Sequence, residues 1–158
     1  MRYCPVFLFV AIFVFSVPSL AQSEIKPNPA FDAPLAKRLG ADERGMKMYV
    51  MCILKTGPKD DDFKGKERSD IFAGHFANIK KLGDEGKLAV AGPFGKNDKT
   101  FRGLYIFNVS TIEDAEKLVN LDPAVRAGVF IYDLTLLYSS AALTATNEVH
   151  KKITRSID

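Results

Sequence analysis

The chain has two cysteines, two histidines and no tryptophan in 158 residues, and it leans only slightly to one sign of charge. Each shortage closes a class of function. Cys4 lies ahead of the apolar run that opens the chain, so the remainder holds Cys52 alone. A single cysteine makes neither an internal disulfide nor a thiolate cluster. His75 and His150 are too far apart in sequence to form a ligand set, so no metal is expected. There is no glycine-rich phosphate loop, serine elbow or metalloprotease helix, and no organic cofactor is expected either. The formal charge is +3. Bases and acids are interspersed, which leaves no electrostatic footprint for nucleic acid.

Long apolar runs are also missing, with one short exception at the start. Val6 to Val17 is apolar apart from Ser16, follows Arg2, and leads to Ser19-Leu20-Ala21, a small-x-small cleavage pattern. The run is short for a membrane span. Residues 1–21 therefore read as a signal peptide, and the protein as exported, periplasmic or secreted, with no stable membrane insertion after cleavage. Removing them takes away Arg2 and no acid, which changes the formal charge from +3 to +2. Residues 22–45, with Pro27, Pro29 and Pro34, read as an arm or linker containing a short helix that stops at Gly40.

The middle of the chain carries an ordered set of elements. Lys47 to Thr56 is a strand apolar on both faces, and Gly57-Pro58 ends it. Cys52 within it reads as a small buried hydrophobe. The acidic triplet Asp60-Asp61-Asp62 lacks the alternating spacing of a calcium loop and reads as solvated. A helix follows from Ser69 or Asp70 to Gly83. Lys87 to Ala91 is a short strand that Gly92-Pro93 turns away. Phe101 to Val109 is a third strand. Ser110-Thr111-Ile112-Glu113 has the form of a capping box opening a second helix. Asp122-Pro123 starts a further turn closing at Gly128. Val129 to Tyr138 is a fourth strand, and residues 141–158 are a polar, mobile tail.

One residue stands out. At ~100° per residue, Ile71, Phe72, His75, Phe76, Ile79 and Leu82 share one helical arc. His75 is near its middle, so its imidazole faces the protein and requires a polar partner there.

The order strand, helix, strand, strand, helix, strand is the split βαβ pattern of a ferredoxin-like α+β fold. Both helices would cover one face of a four-stranded sheet. The strands are apolar on both faces, so a second copy is the expected cover for the other, giving a homodimeric α+β barrel.

His75, Gly86-Lys87-Leu88, Ala91-Gly92-Pro93 and Asp122-Pro123-Ala124-Val125-Arg126-Ala127-Gly128, in that order, resemble the YCII-related domain family. The resemblance covers about Met46 to Ser140. It implies the same ferredoxin-like dimeric barrel. It also implies an active-site pair of a motif histidine and an Asp-Pro aspartate, which fall here on His75 and Asp122. Linked chemistry in the family includes lyase and dehalogenating steps on small molecules. Arg102 or Lys55 is then the candidate holder of an anionic substrate, and Tyr49 or Tyr105 a candidate pocket wall. Two readings follow. The first is a small-molecule enzyme working by acid/base chemistry through His75. The second is a non-catalytic dimer that binds a ligand or assists another protein, with the His–Asp contact serving only to stiffen the fold. An open cleft at His75 favours the first.

Overall fold

A computed structural model of the protein describes residues 28–155. The signal-peptide reading therefore lies outside the described residues. From Asp32 onward the chain forms one unit. Its elements are α1 (Ala33–Leu39), β1 (Met46–Thr56), α2 (Gly65–Asp84), β2 (Leu88–Pro93), β3 (Phe101–Phe107), α3 (Ile112–Val119), α4 (Pro123–Arg126), β4 (Phe130–Ser140), a 3-10 turn (Ala141–Ala145) and α5 (Thr146–Ile153). The four strands pair antiparallel in the order β2-β3-β1-β4, the ferredoxin-like arrangement.

Strand alternation builds the core. Val50, Cys52 and Leu54 of β1 and Tyr105 and Phe107 of β3 point to one face, where Leu82 of α2 and Ala115, Leu118 and Val119 of α3 bury them. On the opposite face Met51, Ile53, Leu104 and Ile106 stay half-buried, and Ile131 is exposed. Tyr49 belongs to that second face but is fully buried, with its hydroxyl donating to the carbonyls of Ser140 and Ala141.

Several boundaries differ from expectation, each for a local reason. Helix α2 starts one turn earlier, at Gly65 after Lys64, without a side-chain cap. It ends at Asp84 with Glu85 as its cap, and Gly86 (φ +70°) supplies the left-handed step that turns the chain into β2. Gly92-Pro93 does not turn away but continues β2. An edge strand tolerates proline because its missing N–H can face away from the sheet. The cap of α3 is Thr111, whose hydroxyl accepts from the Asp114 N–H, rather than Ser110.

The C-terminal segment is a correction as well. Residues 141–153 form a 3-10 turn and a helix rather than a mobile tail. Polar contacts hold them and leave no apolar signature. Asn147 donates to the Leu88 carbonyl at 2.8 Å, Lys151 pairs with Asp84 at 3.0 Å, and Glu148 pairs with Arg38 of α1 at 2.9 Å.

Candidate active site

Helix α2 lays Phe72, His75, Phe76 and Ile79 along one wall of a cavity of about 500 Å³. The floor is the end of the sheet, where Leu54, Gly103, Tyr105 and Phe130 meet, and β2 adds Ala91, Gly92 and Pro93. Gly92 and Gly103 add only backbone to the lining. The lining is mostly apolar, with His75, Tyr105 and Arg102 as its polar members.

His75 is buried, and its polar partner is Asp122. The imidazole Nδ1 lies 2.8 Å from Asp122 Oδ2 and 3.0 Å from Oδ1. Asp122 reaches it from the α3–α4 corner. There its Oδ1 accepts the Ala124 N–H at 2.9 Å as the cap of α4, while Pro123 begins that helix without forfeiting a donor. Oδ2 also accepts the Tyr105 hydroxyl at 2.8 Å. Asp122 is thus completely buried yet met by three donors, which offsets the cost of removing a carboxylate from water. With its oxygens accepting throughout, the imidazole proton belongs on Nδ1. Among the described residues Nε2 makes no protein hydrogen bond, and its ring lines the cavity.

The close approach of α2 to the Asp122-Pro123 corner requires a glycine. A Cβ on Gly74 would stand 2.9 Å from Pro123 Cγ. Aromatic rings frame the imidazole: Phe72, Phe76 and Phe130 meet it edge-on at centroid distances of 5.9, 5.3 and 5.4 Å, and Tyr105 stacks at 6.2 Å.

Burial, followed by the Asp122 charge and the hydrogen bond to it, pushes the Tyr105 phenol far above its usual range, so it stays a donor. Cys52, on the same sheet face, is pushed up to about 12, first by burial and then by the charges of Asp122 and Asp133. A thiol held protonated in this way is a packing residue, as its strand context suggests.

The other candidates separate. Tyr105 lines the cavity, but Tyr49 is corrected: strand parity places it on the opposite face, with its hydroxyl occupied at the Ser140 end. Arg102 lines the cavity with its guanidinium 5.8 Å over the Phe130 ring, whereas Lys55 pairs with Asp133 at 2.7 Å. Sequence reasoning missed Phe94 and Phe130 as cavity walls. It also treated Asp60 as solvated, but its carboxylate is held by Arg68 at 2.8 Å. Arg68 also lies 5.1 Å over the Phe72 ring, one turn further along the same helix.

No curated protein matches the chain. Among solved structures it is similar to 5-chloro-2-hydroxyhydroquinone dehydrochlorinase (TftG) from Burkholderia phenoliruptrix AC1100, in complex with 2,5-dihydroxybenzoquinone. The likeness has a TM-score of 0.38 and 23% identity, covering 54% of this chain and 90% of that one, too loose to carry an argument about chemistry. Residues 48–136, more than half of the chain, match the model of the YCII-related domain. The chain therefore belongs to the YCII-related domain family.

Proposed function

We propose that the protein is a small-molecule enzyme of lyase type, with His75 as the general base and acid and Asp122 as its orienting partner. A single observation carries this reading. One imidazole nitrogen is fully engaged by a buried carboxylate, while the other has no protein partner among the described residues and its ring borders an open cavity of about 500 Å³. A purely stiffening His–Asp contact needs no such space.

In this reading Nε2 takes a proton from a substrate carbon made acidic by a neighbouring electron-withdrawing group. The C–H electron pair forms a carbon–carbon double bond as a leaving group departs with its own bonding pair. The imidazolium returns the proton to the leaving group or to water. Asp122 stabilises the imidazolium and fixes the tautomer, as in other carboxylate–imidazole pairs. Tyr105, kept protonated, anchors Asp122, and Arg102 holds an anionic part of the substrate. The apolar rings around the buried imidazole lower the local polarity and strengthen its bond to Asp122. We further infer an exported protein that works as a homodimer, the second copy covering the half-buried sheet face.

The test is a screen of small halogenated and hydroxylated acids and lactones, followed by His75→Ala on any substrate found. Loss of a general base is expected to lower kcat by roughly 10²–10⁴-fold with substrate binding retained. Undiminished turnover in His75→Ala would contradict the assignment. Binding without turnover of any compound would favour the ligand-binding reading.

A further inference from the structure

Asp60 sits between two arginines at the rim of the cavity. Arg68 takes most of it: Nη2 donates to Oδ1 at 2.8 Å and Nη1 to the backbone carbonyl of the same residue at 2.6 Å. The guanidinium of Arg68 also lies 5.1 Å over the Phe72 ring, a wall of the cavity. The remaining oxygen, Oδ2, is 3.6 Å from Arg102 Nη1, an ion-pair contact too long for a hydrogen bond. Among the described residues Arg102 makes no side-chain hydrogen bond, and its side chain is 39% exposed. Two guanidinium charges thus share one carboxylate, and the uncompensated charge is that of Arg102, inside the cavity lining.

The location suits a substrate contact. Phe130 touches both polar ends of the cavity, with its ring centroid 5.4 Å from that of His75 and 5.8 Å from Arg102 Cζ. The two groups are therefore no more than about 11 Å apart, a span one small acid bridges.

We propose that Arg68 is a positioning residue that occupies Asp60 and so keeps Arg102 free to bind a carboxylate on the substrate of the His75 cavity. Without Arg68, the one other cationic partner of the Asp60 carboxylate among the described residues is Arg102. It turns both oxygens onto that guanidinium and cancels the charge a substrate would meet. The anion selectivity of the site is then set by a residue outside its lining. The proposal rests on the reading of this cavity as the substrate site, but its test uses binding alone and does not depend on turnover.

The probes are benzoate and its neutral isostere benzamide, titrated into the purified protein by calorimetry, with the His75 imidazole signals followed by NMR. Wild type is expected to prefer benzoate. Arg102→Met should abolish that preference. Arg68→Met should weaken benzoate binding about tenfold, the scale of one charge-assisted hydrogen bond, with benzamide binding unchanged as the control for folding. Arg68→Lys should lose less. The decisive variant is Arg68→Met with Asp60→Asn, which removes the competitor and should restore benzoate affinity to within about twofold of wild type. A double variant no better than Arg68→Met, a preference that survives Arg102→Met, benzoate binding that leaves the His75 signals unmoved, or no benzoate binding at all would each overturn the proposal.

Discussion

Asp122 shows how a buried charge becomes useful. Three donors from three elements converge on it: the Ala124 amide, the Tyr105 hydroxyl and the His75 imidazole. The residue thereby caps a helix, anchors a strand side chain and fixes a tautomer together. Cys52 on the same sheet face has the opposite fate. Its thiol ionises only at about 12, so it should resist iodoacetamide at about pH 8 in the native protein and react once unfolded. Rapid native labelling would contradict the burial. The same shift has a thermodynamic sign. The folded state keeps a proton that the unfolded thiol loses near its ordinary value, so this stabilisation is present below about pH 9 and is lost as pH rises towards about 12. At this scale the sequence revealed His75, because a lone imidazole on an apolar arc has to be answered by something. It could not separate Tyr49 from Tyr105. Both lie in strands apolar on both faces, and only the pairing register decides which tyrosine faces α2.

At the scale of elements, the site is made by one contact, α2 against the α3–α4 corner, with Gly74 under Pro123. A side chain at position 74 would enter the space of the proline ring. Gly74→Val should cost about 1–3 kcal/mol by overpacking and pull His75 away from Asp122. Thermal unfolding would read the first effect and the imidazole NMR signals the second. A variant with wild-type stability and an unmoved His75 would show that this contact does not set the geometry. Helix α2 and strands β1, β3 and β4 were legible from periodicity and from glycine or proline stops. The ends were less so, because two signals competed at each. Ser110 and Thr111 are adjacent hydroxyl residues, and the one with its oxygen over the Asp114 amide became the cap. Gly92-Pro93 carries a turn signature that edge-strand pairing to β3 overrides. The acidic triplet read as solvated because nothing local marks Asp60 as the member that Arg68 turns inward.

For the molecule as a whole, the sheet has two unequal faces. One is closed by α2 and α3, and the other leaves Met51, Ile53, Leu104 and Ile106 half-buried. The C-terminal segment, unforeseen because its anchors are polar, closes part of that face at Tyr49. What remains is the surface that the proposed second copy would cover. If the proposed dimer forms, light scattering should give twice the chain mass, and Ile106→Asp should give the single-chain mass without loss of helical signal. A wild-type monomer would remove the dimer from the account. The His75 cavity is formed by one chain's own residues, so its chemistry can be tested in either state. The most direct test is a long-range proton–nitrogen NMR correlation on the imidazoles, made unambiguous by His150→Gln because the chain has only two histidines. The account predicts a protonated Nδ1 and a bare Nε2 on His75, with the Nε2 signal shifting when a small carboxylic acid enters the cavity. A proton on Nε2, or a signal indifferent to every ligand that binds, would contradict it.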